Sequence, residues 1–575
     1  KDALGACTDA TNSTAVGFQA LLATTSNDGN TALGSYAGTA LTGSKGTFIG
    51  REAGFYATST DDCIAIGYNA FHGSSGNTTG NENIAVGNYA LDAVTSGNAN
   101  VAIGHYAGSG NLTAAENVLV GYYAGSALTQ NYNTAIGSRA MYYGTTQTEC
   151  IAIGRSALRG DGTTAPTGDY NIAVGSYSLD AVTSGQQNVA VGYGNLSNTT
   201  TATQNTAIGH VAGQYAINNT NTFVGHASGG NLGDAQHCIA IGKDSLKGAT
   251  FTNATCDYNN DPTITHDADA NIVAGLVVTG TGIPAGSKVA SITDGTHFEL
   301  SASTTGGAVT NGTLTFYKNQ GDYNIAIGSY ALDATTTGNQ NVAIGHNAGT
   351  AIDDGYYNIL IGSSAGLAMT DANTNVAIGH EAMLAAASGE HNNIAIGRSA
   401  LATENAGADG CVAIGYQALE DQNVAGANNT AVGGYAALNL TSGVDSVYMG
   451  HTAGGIGVIT GADNVAVGRS AAANATSMSQ SVFIGGYAGG TGVITGASNT
   501  CVGYVAGQDL TSGYSNVLIG RSAGANLTNN VGCIAIGHGA LDAAQQHEHN
   551  NIAIGANALG AENSDATHCV AIGTN

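Results

Sequence analysis

The 575-residue chain holds 87 Gly, 3 Pro and no Trp; 9% of its residues are charged and 43% are hydrophobic. Gly does not recur every third residue, which excludes collagen, and the apolar content excludes a disordered chain. Thirteen basic residues against 39 acidic ones give a formal charge of −26, a surface that repels phosphate backbones and argues against nucleic acid as a partner.

From Gly17 onward the chain repeats itself. Fourteen anchor glycines run from Gly17 to Gly242, among them Gly34, Gly67, Gly104 and Gly137, mostly 16 to 18 residues apart. A constant period that short predicts one coil per repeat, hence a parallel β-solenoid over residues 1–248. Residues 249–320 break the period and carry two of the three prolines (Pro262, Pro284) and three of the nine Phe. The run from Val277 to Ile292 reads as strand, Gly/Pro turn, strand, and Thr313–Tyr317 as a further strand, so a small inserted β-domain projecting sideways is expected. Over residues 321–575 the repeat resumes with fifteen anchors from Gly328 to Gly573, including Gly345, Gly379, Gly520 and Gly555. The fold class expected is therefore all-β, a solenoid of 29 coils of about 17 residues, with one insertion. At one β-spacing of about 4.8 Å per coil it would extend roughly 140 Å.

The columns of the repeat carry its physics. The residue before each glycine is Val, Ile, Leu or Met, and the residue three before is Val, Ile or Thr. Spacing of two places both on one face of a short strand, and this face is expected to fill the coil's own core. On the opposite face, the residue two before is Ala in 21 of 29 copies, and the residue four before is Asn in 19, Cys in 6 and Ser in 3. Neither column holds a charge, which predicts that this second face is covered by something outside the coil. The cover expected is another copy of the chain. The glycine itself reads as a corner where a Cβ would obstruct the turn.

Asn30, Asn100, Asn133 and Asn341, with Cys63, Cys150, Cys238, Cys411, Cys533 and Cys569, share the fourth-before column and read as a buried ladder. The closest of these cysteines lie two coils apart, roughly 9–10 Å, too far for a disulfide. No Cys-x-x-Cys spacing suggests zinc. After the glycine, His105, Arg155, His210, His346, Arg398 and Arg521 form a mixed column that is a candidate subunit boundary. No nucleophile elbow, phosphate loop or carboxylate pair stands out, so no enzymatic activity, catalytic residue, metal or cofactor is expected. No apolar stretch reaches about 18 residues, so no membrane insertion by a helix is expected.

The segments Asn30-Thr31-Ala32-Leu33-Gly34-Ser35-Tyr36-Ala37-Gly38 and Asn100-Val101-Ala102-Ile103-Gly104-His105-Tyr106-Ala107-Gly108 resemble the YadA-like head repeat of trimeric autotransporter adhesins, which also occurs in bacteriophage tail fibres. The resemblance implies left-handed coils and a homotrimer. It also implies a structural or adhesive fibre, either a virion appendage or a cell-surface adhesin head, exposed outside the cell. The partners it implies are further copies of the chain and a host-surface glycan or protein receptor. A self-assembling extracellular filament is a further reading. The repeats here, at about 17 residues, are longer than usual in autotransporter heads.

Overall fold

The computed structural model describes every residue except 1–2, 7–10, 26–27, 75–77, 111–112, 163, 233–234, 249, 285, 318–320, 336, 386–388, 404–408, 422–427, 543–548 and 561–566. Residues 249 and 318–320, at the borders of the expected insertion, thus lie outside the described residues. The protein is all-β, a parallel β-solenoid with an inserted antiparallel sheet, and among the described residues it contains no helix. Contacts divide it into two units, Lys1–Gln320 and Gly321–Asn575.

In the first unit each repeat contributes one short strand, from Thr14–Val16 to Ile239–Ile241, fourteen in all. Successive strands pair in parallel with like residues opposite like, as in Thr14↔Thr31, Ala15↔Ala32 and Val16↔Leu33. The second unit repeats the arrangement with fifteen strands, from Ile325–Ile327 to Val570–Ile572. Most of these strands are three residues long and stop at the anchor glycine; only Val189–Tyr193 and Thr206–His210 run one residue past it. At Gly104 φ is +138°, and a Cβ there would overlap the carbonyl oxygen of Gly121 in the next coil. Any side chain would therefore meet both backbone strain and a neighbouring backbone.

The structure inverts the expected faces. Asn100 and Ala102 are fully buried inside the coil, whereas Ile103, on the face expected to fill the core, is 41% exposed. The same inside-out pattern runs through the other strands, with the middle residue buried and the flanking β-branched residues partly exposed. The reason is volume. A coil this short brings its backbone walls so close that only small side chains and one large one fit between them.

That limit shows in two positions read together, two before and four after the glycine. Where the first is large, the second is Gly, as in Phe48/Gly54, Leu119/Gly125, Phe223/Gly229 and Tyr448/Gly454. Where the second is large, the first is Ala, as in Ala65/Phe71, Ala85/Leu91 and Ala135/Met141. A Cβ on Gly54 would overlap the Phe48 ring. Both positions point inward and are fully buried, so each coil holds at most one large side chain from this pair at interior packing density.

The inserted sheet belongs to the first unit. Its order is Val277–Thr279, Ala308–Tyr317, Thr250–Asn259, Thr263–Thr265, His297–Leu300 and Val289–Asp294. The two edge strands meet, Val278 N–H donating to Ser287 O at 2.9 Å and Val289 N–H to Leu276 O at 2.9 Å, so the sheet closes on itself. Phe298, Phe316, Leu314, Val278 and Ile264 fill its interior. The insertion does not simply project. Val277 and Tyr317 pack on Ile217 and Tyr215 of the solenoid, the two tyrosine rings 4.4 Å apart.

Candidate functional surfaces

The ladder bonds the inner corner from coil to coil, and every residue expected in it is buried except Cys569, which is only half-buried. Asn100 Nδ2 donates to Ala114 O at 2.8 Å, and Asn100 Oδ1 accepts the backbone N–H of Asn117 at 3.1 Å, one coil on. Asn30 donates to Gly43 O at 2.9 Å, Asn133 to Gln147 O at 2.8 Å and Asn341 to Gly355 O at 2.7 Å. Cysteine takes the same place with its sulfur as acceptor: Asn171 N–H donates to Cys150 Sγ at 3.4 Å. Cys238, Cys411, Cys533 and Cys569 each donate their own N–H to the preceding Asn Oδ1 at 2.8–2.9 Å. Burial pushes the Cys63 thiol up to about 11 and the Cys150 thiol up to about 12, so neither is a nucleophile near neutral pH. This column is structural. Among the described residues no three His, Cys, Asp or Glu side chains converge on a metal site.

The outward face is a strip of β-branched side chains flanked by the column after the glycine. Leu33, Ile103, Ile136, Ile208 and Ile241 are 37–50% exposed in the first unit, and Ile359, Met449, Ile484 and Ile519 are 38–42% exposed in the second. His105, Arg155, His210, His346, Arg398 and Arg521 are all exposed beside it. They do not converge on one point; His105, Arg155, His210, His346 and Arg398 each lie near a ring of their own unit. His210 lies flat on His226 at 5.2 Å, Arg155 sits 5.3 Å from the Tyr177 ring and Arg398 sits 5.8 Å from the Tyr416 ring.

A groove of about 700 Å³ opens in the first unit where the insertion overhangs the coils. Its floor comes from the position five after the glycine on four consecutive coils: Arg159, Asp180, Ser197 and Gln214. Tyr177 and Tyr193 form one wall; Pro284 and Thr305 of the insertion reach over from the other side. Arg159 and Asp180 pair at 3.8 Å, and burial pushes the Asp180 carboxyl up to about 6 despite the guanidinium. None of these floor residues stood out in the sequence. Their column is polar but mixed, and only the folding back of the insertion turns it into a site.

No protein-family model matches the chain, and no curated protein matches its sequence.

Proposed function

We propose that the chain is the shaft of a homotrimeric, extracellular fibre of the phage tail-fibre kind, a structural and adhesive element with no enzymatic activity that holds a recognition surface away from its base. The carrying observation is the outward strip. Partly exposed Val and Ile side chains free of charge recur coil after coil within each unit. Solvated sheet faces alternate with polar residues, and monomers rarely leave contiguous apolar patches beyond about 300–600 Å². Copies arranged about an axis parallel to the stacking direction would let each coil meet the same coil of its neighbours and cover the strip throughout. The number three comes from the resemblance of the repeat. A bacterial adhesin head would use the same trimeric shaft and differ in what anchors it.

Light scattering tests the assembly. The full chain is expected at three times its 56.8 kDa mass, and a 56.8 kDa species in native buffer would sink the proposal. Ile103→Asp with Ile136→Asp should shift the assembly to monomer while leaving the far-ultraviolet circular dichroism unchanged, because both side chains point out of the coil. Unfolding instead of dissociation would show that this face is not the interface.

A further inference from the structure

We infer that the groove beneath the insertion binds a neutral oligosaccharide. Its shape suits a chain-like ligand, because four stacked coils at about 4.8 Å give a floor roughly 15 Å long. Its chemistry suits hydroxyl groups. Arg159 and Asp180 pair on the floor at 3.8 Å, and the side-chain amides of Asn198 and Gln214 line it beside them. Amide, guanidinium and carboxylate groups side by side match the alternating hydroxyls of a sugar, each of which can both give and accept a hydrogen bond.

The aromatic wall supplies the rest. Tyr193 is 51% exposed, and the Tyr177 ring stands at 73° to it with centroids 5.8 Å apart. Tyr193 stacks on His210 at 5.2 Å and Arg155 sits on Tyr177, so it is the rims of the two rings that add apolar surface and hydroxyl groups to the wall. A peptide is the poorer fit, because no Leu, Ile, Phe or Met lines the groove to anchor an apolar side chain. Charge excludes acidic sugars. Asp161 and Asp180 face a single guanidinium, that of Arg159, so the lining is net negative and would repel a sialylated or sulfated glycan.

The inference deepens the adhesive reading and rests on it for its biological sense, but its test is separate. The full chain is passed over an array of neutral and sialylated oligosaccharides. Bound glycans are then titrated in solution by saturation-transfer NMR. Retention of neutral glycans with blank sialylated spots is expected. Tyr193→Ala and Gln214→Ala should each weaken that binding at least tenfold with unchanged circular dichroism. Tyr504→Ala, a similarly exposed ring outside the groove, should leave it unchanged. No retained neutral glycan, equal retention of sialylated ones, or full binding by Tyr193→Ala overturns the proposal. A chain that still adheres to cells after Tyr193→Ala leaves the adhesive reading standing and removes only the groove.

Discussion

Side chains five after the glycine lie half-buried against the coil wall, and Asp92 shows what that burial does to a charge. It lies five residues after Gly87, with Oδ1 buried and unpaired, and burial pushes its carboxyl up to about 6. An unfolded Asp titrates near 3.9, so between about pH 4 and 6 the folded chain binds the extra proton. Stability at this site is therefore present in acid and lost as pH rises through about 6. Partial solvent access reduces the cost of the neutral-pH carboxylate to about 1–2 kcal/mol. Asp92→Asn should stabilise the chain at pH 7.5 by that amount, read as a higher urea midpoint, and the gain should shrink as pH falls and vanish by about pH 3, below the unfolded value of about 3.9, where both states are protonated. Comparing the two chains at each pH removes the general effect of the −26 charge. A gain of equal size at both pH values would contradict the assignment to the buried carboxylate.

At the scale of one coil, the exchange of volume between two positions is the organising rule. Phe48 is fully buried and Gly54 faces its ring, so Phe48→Ala should leave a cavity costing about 3–5 kcal/mol. Gly54→Leu alone should overpack the coil by about 1–3 kcal/mol. The double substitution recreates the Ala85/Leu91 arrangement, in which Leu91 already adopts φ +50°, close to the +64° of Gly54. It should recover most of the loss, to within about 2 kcal/mol of wild type, and a strictly additive double mutant would refute the rule. The sequence showed the period, the corner glycines and the absence of charge in the Ala and Asn columns. It did not show which face turns inward, because alternation fixes that the faces differ but not which is inside. The deciding cue was present in the paired columns, where Phe48 goes with Gly54 and Phe71 with Ala65. Read separately, the Ala column suggested a flat outer face; read with its partner, it is a constraint on interior volume.

For the whole molecule, the part least legible in the sequence was the insertion's place rather than its nature. The strand at Val277–Thr279 and the Thr313–Tyr317 end of Ala308–Tyr317 were visible as β-rich runs, but the packing of Tyr317 on Tyr215 joins residues about a hundred positions apart with no repeat to signal it. The groove was hidden for the same reason. The proposed assembly, by contrast, sets long-range charge repulsion against apolar contact, and salt separates them. Each chain carries −26, so copies brought side by side repel, while the outward strip attracts through apolar burial. Raising NaCl from about 0.05 to 0.5 M shortens the Debye length to a few ångströms, which removes the repulsion and leaves burial intact. If the strip holds the copies together, sedimentation should show dissociation shifting to lower protein concentration as salt rises. If pairs between the exposed Arg155, Arg398 and Arg521 and acidic groups of a neighbouring copy held the assembly, salt would loosen it instead. The basic column is too sparse for that role: 13 basic residues face 39 acidic ones in the whole chain, and Arg155 and Arg398 already lie on the tyrosines of their own chain. Tightening with salt is therefore the expected sign, and loosening would move the interface from the apolar strip to the charged column beside it.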